Sequence, residues 1–462
     1  MSSSTTPEQS SPPFKLILHC EDGSPPYLTP ILLAKNFPTT NRVVRDHLVL
    51  GIEVRNSFVS PVYGPRPSDR KNGRKKEKDE KSPPASRQGS NISNNDSAMS
   101  SVACSITKPT GYTFSGRPLF KHLGIPNDYD VMACPSFDLI DNCVADMPVA
   151  ATNAETSLST PRGYQRITPE LYRDVVRKME APSFVGLYDQ ASSVKNTKRA
   201  RRSVERTKSW LATTVSDSVT DKEEEVEGEK TDPCPKMWAP VVGEEDMALR
   251  LECIHHAINQ KAPLRGFALI GIHHVGDRQA RNTLLQSCMK DIPRNMSCAV
   301  LVANDMVQIL DAARNGVRYI GSALPTNLAR YHKALVLDLY GWKRYHENDE
   351  GERQRVNMCR RIEERSTLGD GCISLDDGIF VKDTVPFVKD CSCLACTHHS
   401  RAYVHHLINA NELLAQILLF VHNLHHVLAF YDEMSQATSM EKQDIFIAHI
   451  EKQLMIRNLQ AL

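Results

Sequence analysis

From Pro235 onward the chain repeats one pattern: a short apolar run, a polar turn, an amphipathic segment, then another apolar run. PKMWAPVVG (Pro235 to Gly243) reads as a strand, EEDMALRLECIHHAINQ (Glu244 to Gln260) as a helix and GFALIGI (Gly266 to Ile272) as the next strand. DRQARNTLLQSCMKDI follows as a helix and SCAVLVA (Ser297 to Ala303) as a strand. Asn304 or Asp305 is placed to cap a helix through Ala313, and Gly316 to stop it before VRYIGSA. Strands joined through helices over short connections must pair in parallel, because each helix carries the chain back across the sheet; the core is therefore α/β. Periodicity does not separate a closed eight-stranded barrel from a doubly wound sheet. The first βα turns lack GxGxxG and GxxxxGK[ST], which weakens the nucleotide-binding version.

The same alternation begins further upstream. Thr168, Pro169 and Glu170 supply a cap, a first-turn proline and an early acid, and Leu171, Val175 and Met179 recur on one helical face. PSFVGLYD, ending at Asp189, reads as a buried strand, and KRARRSVERTKSWL (Lys198 to Leu211) as a charged helix. Its basic run reads as a solvated face rather than a phosphate patch, since glutamate and apolar residues interrupt it. Residues 65–101 carry almost no apolar content and are expected to be a disordered insertion. Residues 215–233, VSDSVTDKEEEVEGEKTDP, read as an acidic loop, and 1–13 as a frayed end.

Charge and cysteine usage narrow the chemistry. The 462 residues carry a formal net charge of +1, so any nucleic-acid contact must be local rather than a global basic field. The polar N-terminus has no export or presequence pattern, and no run of about 18 apolar residues occurs, so no membrane span is expected. Thirteen cysteines are then most simply reduced thiols, available as metal ligands or buried as small apolar groups.

Near the C-terminus, DCSCLACTHHSRAYVHHLINANELLAQILLFVHNLHH (Asp390 to His426) packs Cys391, Cys393 and Cys396 ahead of seven histidines. Thiolates at this spacing can converge on one ion, and a closed tetrahedral zinc site asks for one more ligand. His398 and His399 follow Cys396 too closely, His405 and His406 fall on a first helix, and His422, His425 and His426 on a second, from Asn411 to about Met434. His422 borders that helix's apolar stripe, where a packed core histidine is the plainer reading; spacing leaves the fourth ligand open.

CSCLACTHHSRAYVHHLINANELLAQILLFVHN resembles the zinc segment of the tRNA-guanine transglycosylase family, in which C-x-C-x2-C is followed after about 25 residues by a histidine. RAY-x-HHL and NELL resemble the same family, and the likeness extends from about Thr168 to the end, with weaker traces in PYLTPILLAKNF. The resemblance implies His422 as fourth ligand to one structural Zn2+. It implies a TIM-like (β/α)8 barrel over 14–390, with a late zinc-binding subdomain and C-terminal helices over 391–462.

Catalytic members of the family carry D-C-V-x-P-T-R, whose aspartate attacks the ribose, and D-S-G-G-[FY]-Q, whose aspartate is the general base. Here GVRYIGSALPTNLARYHKALV keeps Pro325, Thr326, Ala329 and Arg330 in register. That register puts Gly321 in the nucleophile's slot and Asn327 in place of the motif's arginine. No Asp or Glu occurs from Ala312 to Leu337, and no Gly-Gly dipeptide anywhere. Asp141 and Asp146, near PSFDLIDNCVADMP, are poor substitutes for the base. Asp189 falls where the family places an acid that reads the base, though a strand-end turn residue is the plainer reading.

The resemblance therefore implies a subunit with no catalytic residues of its own. It would pair as a heterodimer with the catalytic subunit of queuine tRNA-ribosyltransferase, which exchanges guanine for queuine at the wobble position of tRNAs with GUN anticodons. Candidate tRNA contacts are Arg330, Lys333 and Arg401. A homodimer, a cytoplasmic pool and peripheral association with the mitochondrial outer membrane are further expectations by resemblance alone. An active transglycosylase and a stand-alone zinc-dependent RNA-binding protein are the competing readings.

Overall fold

The computed structural model describes residues 13–20, 47–53, 130–135, 151–160, 163–179, 181–189, 197–220, 236–260, 263–341, 343, 367–368, 371–437 and 439–455. The insertion expected over 65–101, together with Asp141 and Asp146, lies outside them.

Eight strands close into a barrel: β1 (Lys15–Cys20), β2 (Leu48–Glu53), β3 (Asp130–Cys134), β6 (Ser183–Val185), β7 (Lys236–Val241), β8 (Leu264–Leu269), β9 (Ser297–Val300) and β10 (Tyr319–Ser322). A hairpin, β4 (Thr156–Thr160) and β5 (Gly163–Ile167), stands apart from them. Closure is made by β1, which pairs in parallel with both β2 and β10. Being covered on both faces, these strands read as nearly continuous apolar runs rather than alternating ones. The patterning left barrel and open sheet unresolved; the β1–β10 pairing decides for the barrel.

Charged residues plug the floor. Asp130, at the start of β3, meets Arg265 at 2.8 Å and Lys15 at 3.4 Å. The Arg265 guanidinium lies 5.5 Å from the Trp238 ring centroid and 5.8 Å from that of Tyr319. Gly266 sits where β8 passes β9: a Cβ there would stand 2.1 Å from the Ser297 carbonyl oxygen, so only glycine fits.

The helices that return the chain are α1 (Pro169–Met179), α2 (Thr197–Thr220), α3 (Met247–Asn259), α4 (Arg278–Asp291), α5 (Met306–Arg314) and the short α6 (Leu324–Arg330). Thr168 Oγ1 accepts from the Leu171 amide, and Asp246, Asp277 and Asp305 cap α3, α4 and α5 in the same way. Between the two candidates for the last cap, Asp305 takes the role. One boundary moves: α2 does not end at Leu211, and residues 215–220 are helix rather than acidic loop. Val204, Leu211 and Val215 are buried along one face, and that stripe holds the helix together past the point where charge composition alone suggests a loop.

The barrel also ends earlier than residue 390. After β10 the chain makes β11 (Lys333–Leu335), β12 (Thr367–Leu368) and β13 (Cys372–Ser374), an antiparallel sheet in the order β11-β13-β12 outside the parallel barrel. Helices α7 (Leu394–His398), α8 (Arg401–Asn409), α9 (Leu413–Gln436) and α10 (Met440–Met455) complete the chain. Contrary to the expectation drawn from run length, α9 is long and apolar enough to cross a bilayer by composition, with a mean hydropathy of 1.6. Two-thirds of that stretch (67%) is buried inside the protein, as in a core helix.

Candidate metal centre and barrel mouth

Local geometry brings the three cysteines together. Asp390, at φ +65°, turns the chain sharply into Cys391. Cys393 is the N-cap of α7, and its Sγ accepts from the Cys396 amide at 3.3 Å, which holds the two sulfurs on one side of the turn. From the other side α9 supplies His422, fully buried, whose Nδ1 lies 3.9, 3.5 and 3.3 Å from the sulfurs of Cys391, Cys393 and Cys396. All four donor atoms lie within 4.8 Å of one another. Zinc–sulfur bonds of about 2.3 Å and zinc–nitrogen bonds of about 2.0 Å in a tetrahedron demand sulfur–nitrogen edges of about 3.5 Å. The donor set and its size therefore fit such an ion.

The histidine is held in the orientation a metal needs. Its Nε2 lies 2.8 Å from the Leu335 carbonyl oxygen, which can only accept, so Nε2 carries a proton and Nδ1 is the nitrogen turned toward the sulfurs, where it would bind a metal once its own proton is displaced. The neighbours of His422 extend this edge. Asn423 Oδ1 accepts from the Leu335 amide at 2.8 Å and its Nδ2 donates to the Lys333 carbonyl at 2.9 Å, while His426 Nε2 lies 3.0 Å from the Leu337 carbonyl oxygen. One face of α9 thus pairs with β11 as a further strand would, and this pairing fixes the ring. Phe387 packs edge-on against His422, with centroids 5.0 Å apart.

Electrostatics within the cluster favour charge separation. Burial opposes an imidazolium at His422, but hydrogen bonding and charge from Cys391 and Cys396 hold it up, to about 10. Hydrogen bonds with the Cys393 and Cys396 sulfurs push the Cys391 thiol well down, and the same contacts push Cys393 up. A divalent ion would replace those shared protons.

The other histidines have other work. His405 Nδ1 lies 2.6 Å from the Leu375 carbonyl oxygen and its Nε2 2.8 Å from Asn409 Nδ2; His398 and His406 are exposed. Among the tRNA-contact candidates, Arg330 is exposed at the end of α6 and Lys333 is half-buried on β11. Arg401 is not a surface residue: it is 2% exposed, pairs with Asp383 at 3.2 Å and donates to the Phe387 carbonyl at 2.7 Å. It is a positioning residue for the loop whose Phe387 packs on His422. Its place beside the zinc loop in sequence carried no information about which way it points.

At the C-terminal mouth of the barrel, where sites on this architecture are built, Gly321 and Ser322 end β10 in full burial. Ser322 Oγ donates to the Ala303 carbonyl at 2.7 Å and accepts from the Leu324 amide at 3.0 Å, so its hydroxyl is occupied by the turn. Asp189, beyond β6, is buried and bridged by two arginines of α2: Arg199 in a bidentate pair at 2.5 and 2.6 Å, and Arg206 at 3.0 Å. Two residues the sequence patterning passed over are Arg250 and Glu244. The fully buried Arg250 donates to the carbonyls of Glu244, Val241 and Ile270 at 2.7, 3.2 and 2.8 Å, tying the ends of β7 and β8 together, and Glu244 is buried beside it at φ +50°. An arginine on an otherwise apolar helical face was the available signal for that clamp.

Comparison with known proteins agrees with this geometry. A family model described as queuine tRNA-ribosyltransferase matches residues 136–455, more than half of the chain. The chain is similar to the queuine tRNA-ribosyltransferase accessory subunit 2 of Drosophila mojavensis, 26% identical over 347 residues, covering 73% of this chain and 75% of that protein. It is also similar to the protein of the same name from Drosophila yakuba, 25% identical over 335 residues and 71% of each. The closed parallel barrel, the Cys3His cluster and the extent of the family match together place this chain in the queuine tRNA-ribosyltransferase family.

Proposed function

We propose that this chain is the non-catalytic subunit of a two-chain tRNA-guanine transglycosylase that exchanges guanine for queuine at the wobble position of tRNAs with GUN anticodons. Base exchange through a ribosyl intermediate needs one carboxylate to attack the sugar and a second to manage the proton. The observation that carries the proposal is the end of β10: Gly321 has no side chain, Ser322 is committed to backbone hydrogen bonds, and no acid lies between Ala312 and Leu337. The carboxylates of Asp246, Asp277 and Asp305 cap helices, and Asp189 neutralises two arginines.

Zn2+ is the ion this donor set suits. Held by Cys391, Cys393, Cys396 and His422, it would have a closed coordination sphere and a structural role, cross-linking the 391–396 loop to α9. On the 378–385 segment that packs against α8, Ile379, Val381 and Val385 are 57, 56 and 47% exposed, and Tyr403 on α8 itself is 40% exposed. Apolar side chains gathered on one subdomain support pairing with the catalytic subunit through this face. A cytoplasmic pool with peripheral association with the mitochondrial outer membrane is part of the same proposal, and subcellular fractionation checks it.

Base exchange on tRNA is to be measured for the chain alone, for the catalytic subunit alone and for the mixture, alongside native mass and zinc content. Exchange that requires the mixture, a one-to-one complex and one zinc per chain are expected. A ribosylated RNA adduct formed by the chain alone overturns the proposal. Cys393→Ala or His422→Ala should bring the zinc content close to zero and lower the thermal midpoint. Acidification should release the metal from the native chain, because protons compete for all four ligands.

A further inference from the structure

We propose that Lys198, Arg201 and Arg202, on the exposed face of the first turns of α2, form a contact for the phosphate backbone of RNA, made by this chain itself at the rim of its barrel. The proposal rests on the reading of the chain as a subunit acting on tRNA, and it assigns part of the RNA contact to a helix that the sequence pattern reads as a merely solvated face.

The structure divides the basic residues of α2 into two sets. Arg199 and Arg206 turn inward onto Asp189, and Lys208 pairs with Glu252 of α3 at 2.5 Å. Lys198, Arg201 and Arg202 are exposed, and among the described residues their side chains make no ion pair or hydrogen bond. Their spacing, i, i+3 and i+4, puts the three cations side by side on one helical face. Glu205, also exposed, lies one turn further on and leaves that face with an excess of positive charge.

Like charges at this spacing repel and reduce helix stability, and Glu205, at i+4 from Arg201 and i+3 from Arg202, offsets only part of that repulsion. An external anion would relieve the rest. The location agrees: α2 follows β6, so its first turns lie at the C-terminal ends of the barrel strands, the end at which barrels present their sites. The helix N-terminus adds partial positive charge at the same spot. Guanidinium forks match phosphate oxygens in geometry. With a net charge of only +1 on the whole chain, this concentration is a local feature and not a share of a general basic excess.

The test is a Lys198→Gln/Arg201→Gln/Arg202→Gln variant of the full chain, with Lys236→Gln/Lys290→Gln/Arg294→Gln as a charge-matched control. The control residues are exposed at the opposite end of the barrel, at the start of β7, in the last turn of α4 and in the turn after it. Binding of a tRNA transcript with a GUN anticodon is followed for the chain alone and mixed with the catalytic subunit, from about 50 to 200 mM salt. The α2 variant should bind roughly tenfold more weakly at low salt, with a log–log salt slope shallower by about 2, and the control should match the native chain. Glu205→Gln should strengthen binding. Unchanged affinity and slope in the α2 variant, or an equal loss in the control, overturns the proposal. So does loss of binding to phosphatidylserine vesicles with RNA binding intact, which would assign the face to a membrane. Native mass and base exchange are read in the same samples. A mixture that neither pairs nor exchanges defeats the subunit reading, while tRNA binding by the lone chain still decides the patch.

Discussion

Two buried side chains show how little residue type says about role. Seven histidines follow the cysteines between Thr397 and His426, and His422 alone of them joins the four-donor cluster, because its Nε2 donates to the Leu335 carbonyl and Nδ1 is thereby aimed at the sulfurs. Interval matching to a known pattern identified it; helical periodicity could not, since a ligand and a packed core histidine occupy the same edge of an apolar stripe. Asp189 carries the opposite lesson. In sequence it stands at a strand end where a base-reading acid could sit, and in the fold it is 3% exposed between Arg199 and Arg206. Asp189→Asn should leave two guanidinium groups short of a counter-charge and cost about 2–4 kcal/mol in urea unfolding. A variant with native stability but weakened affinity for the free base would instead assign Asp189 to base recognition.

Elements are where the sequence reads best and where its boundaries slip. The β7–α3–β8–α4–β9–α5–β10 order follows from the patterning because each strand is apolar on both faces and each long helix opens on an Asp cap. The extension of α2 to Thr220 was hidden, because composition weighs charge while the helix depends on a thin buried stripe at Val204, Leu211 and Val215. The β11–β13 pairing was hidden for another reason: three-residue strands carry too little periodicity to be recognised. Gly266→Ala tests whether close strand approach governs this part of the barrel. With the Ser297 carbonyl 2.1 Å from the new carbon, the β8–β9 register must open, and a destabilisation of about 3 kcal/mol or more is expected by thermal or urea melting. A cost below about 1 kcal/mol would show that the strands part easily.

At the scale of the whole molecule, the last helix is bound to the barrel by charge. Glu451 of α10 meets Arg314 of α5 at 2.7 Å and also pairs with Arg278 of α4, while Asp311, with no exposure, accepts from Arg281 at 2.8 Å. Burial raises the Glu451 carboxyl, but Arg314 and Arg278 outweigh it and hold it below the usual carboxylate range. A depressed carboxylate contributes stability that is full above its unfolded value, about 4.3, and is lost as pH falls through the folded one. Docking of α10 should therefore loosen in acid by about 1 kcal/mol, a figure reduced because both arginines are more than a third exposed. Hydrogen exchange of Met440–Met455 against pH reads it, and Glu451→Gln should abolish the pH dependence. Exchange insensitive to both would mean that burial of Phe446, Ile447 and Ile450 alone holds the helix.

By itself the sequence determined the α/β class, the parallel pairing of the strands and the cysteine triplet, because each is written in local spacing: apolar runs of strand length, capped amphipathic helices, thiols a few residues apart. Tertiary structure alone decided what depends on residues far apart in the chain meeting in space. It closed β1 onto β10, set His422 against Leu335, turned Arg401 inward and divided the arginines of α2 between Asp189 and solvent. Side-chain direction and partner choice are free-energy outcomes of packing the whole chain, and no window of neighbouring residues contains them.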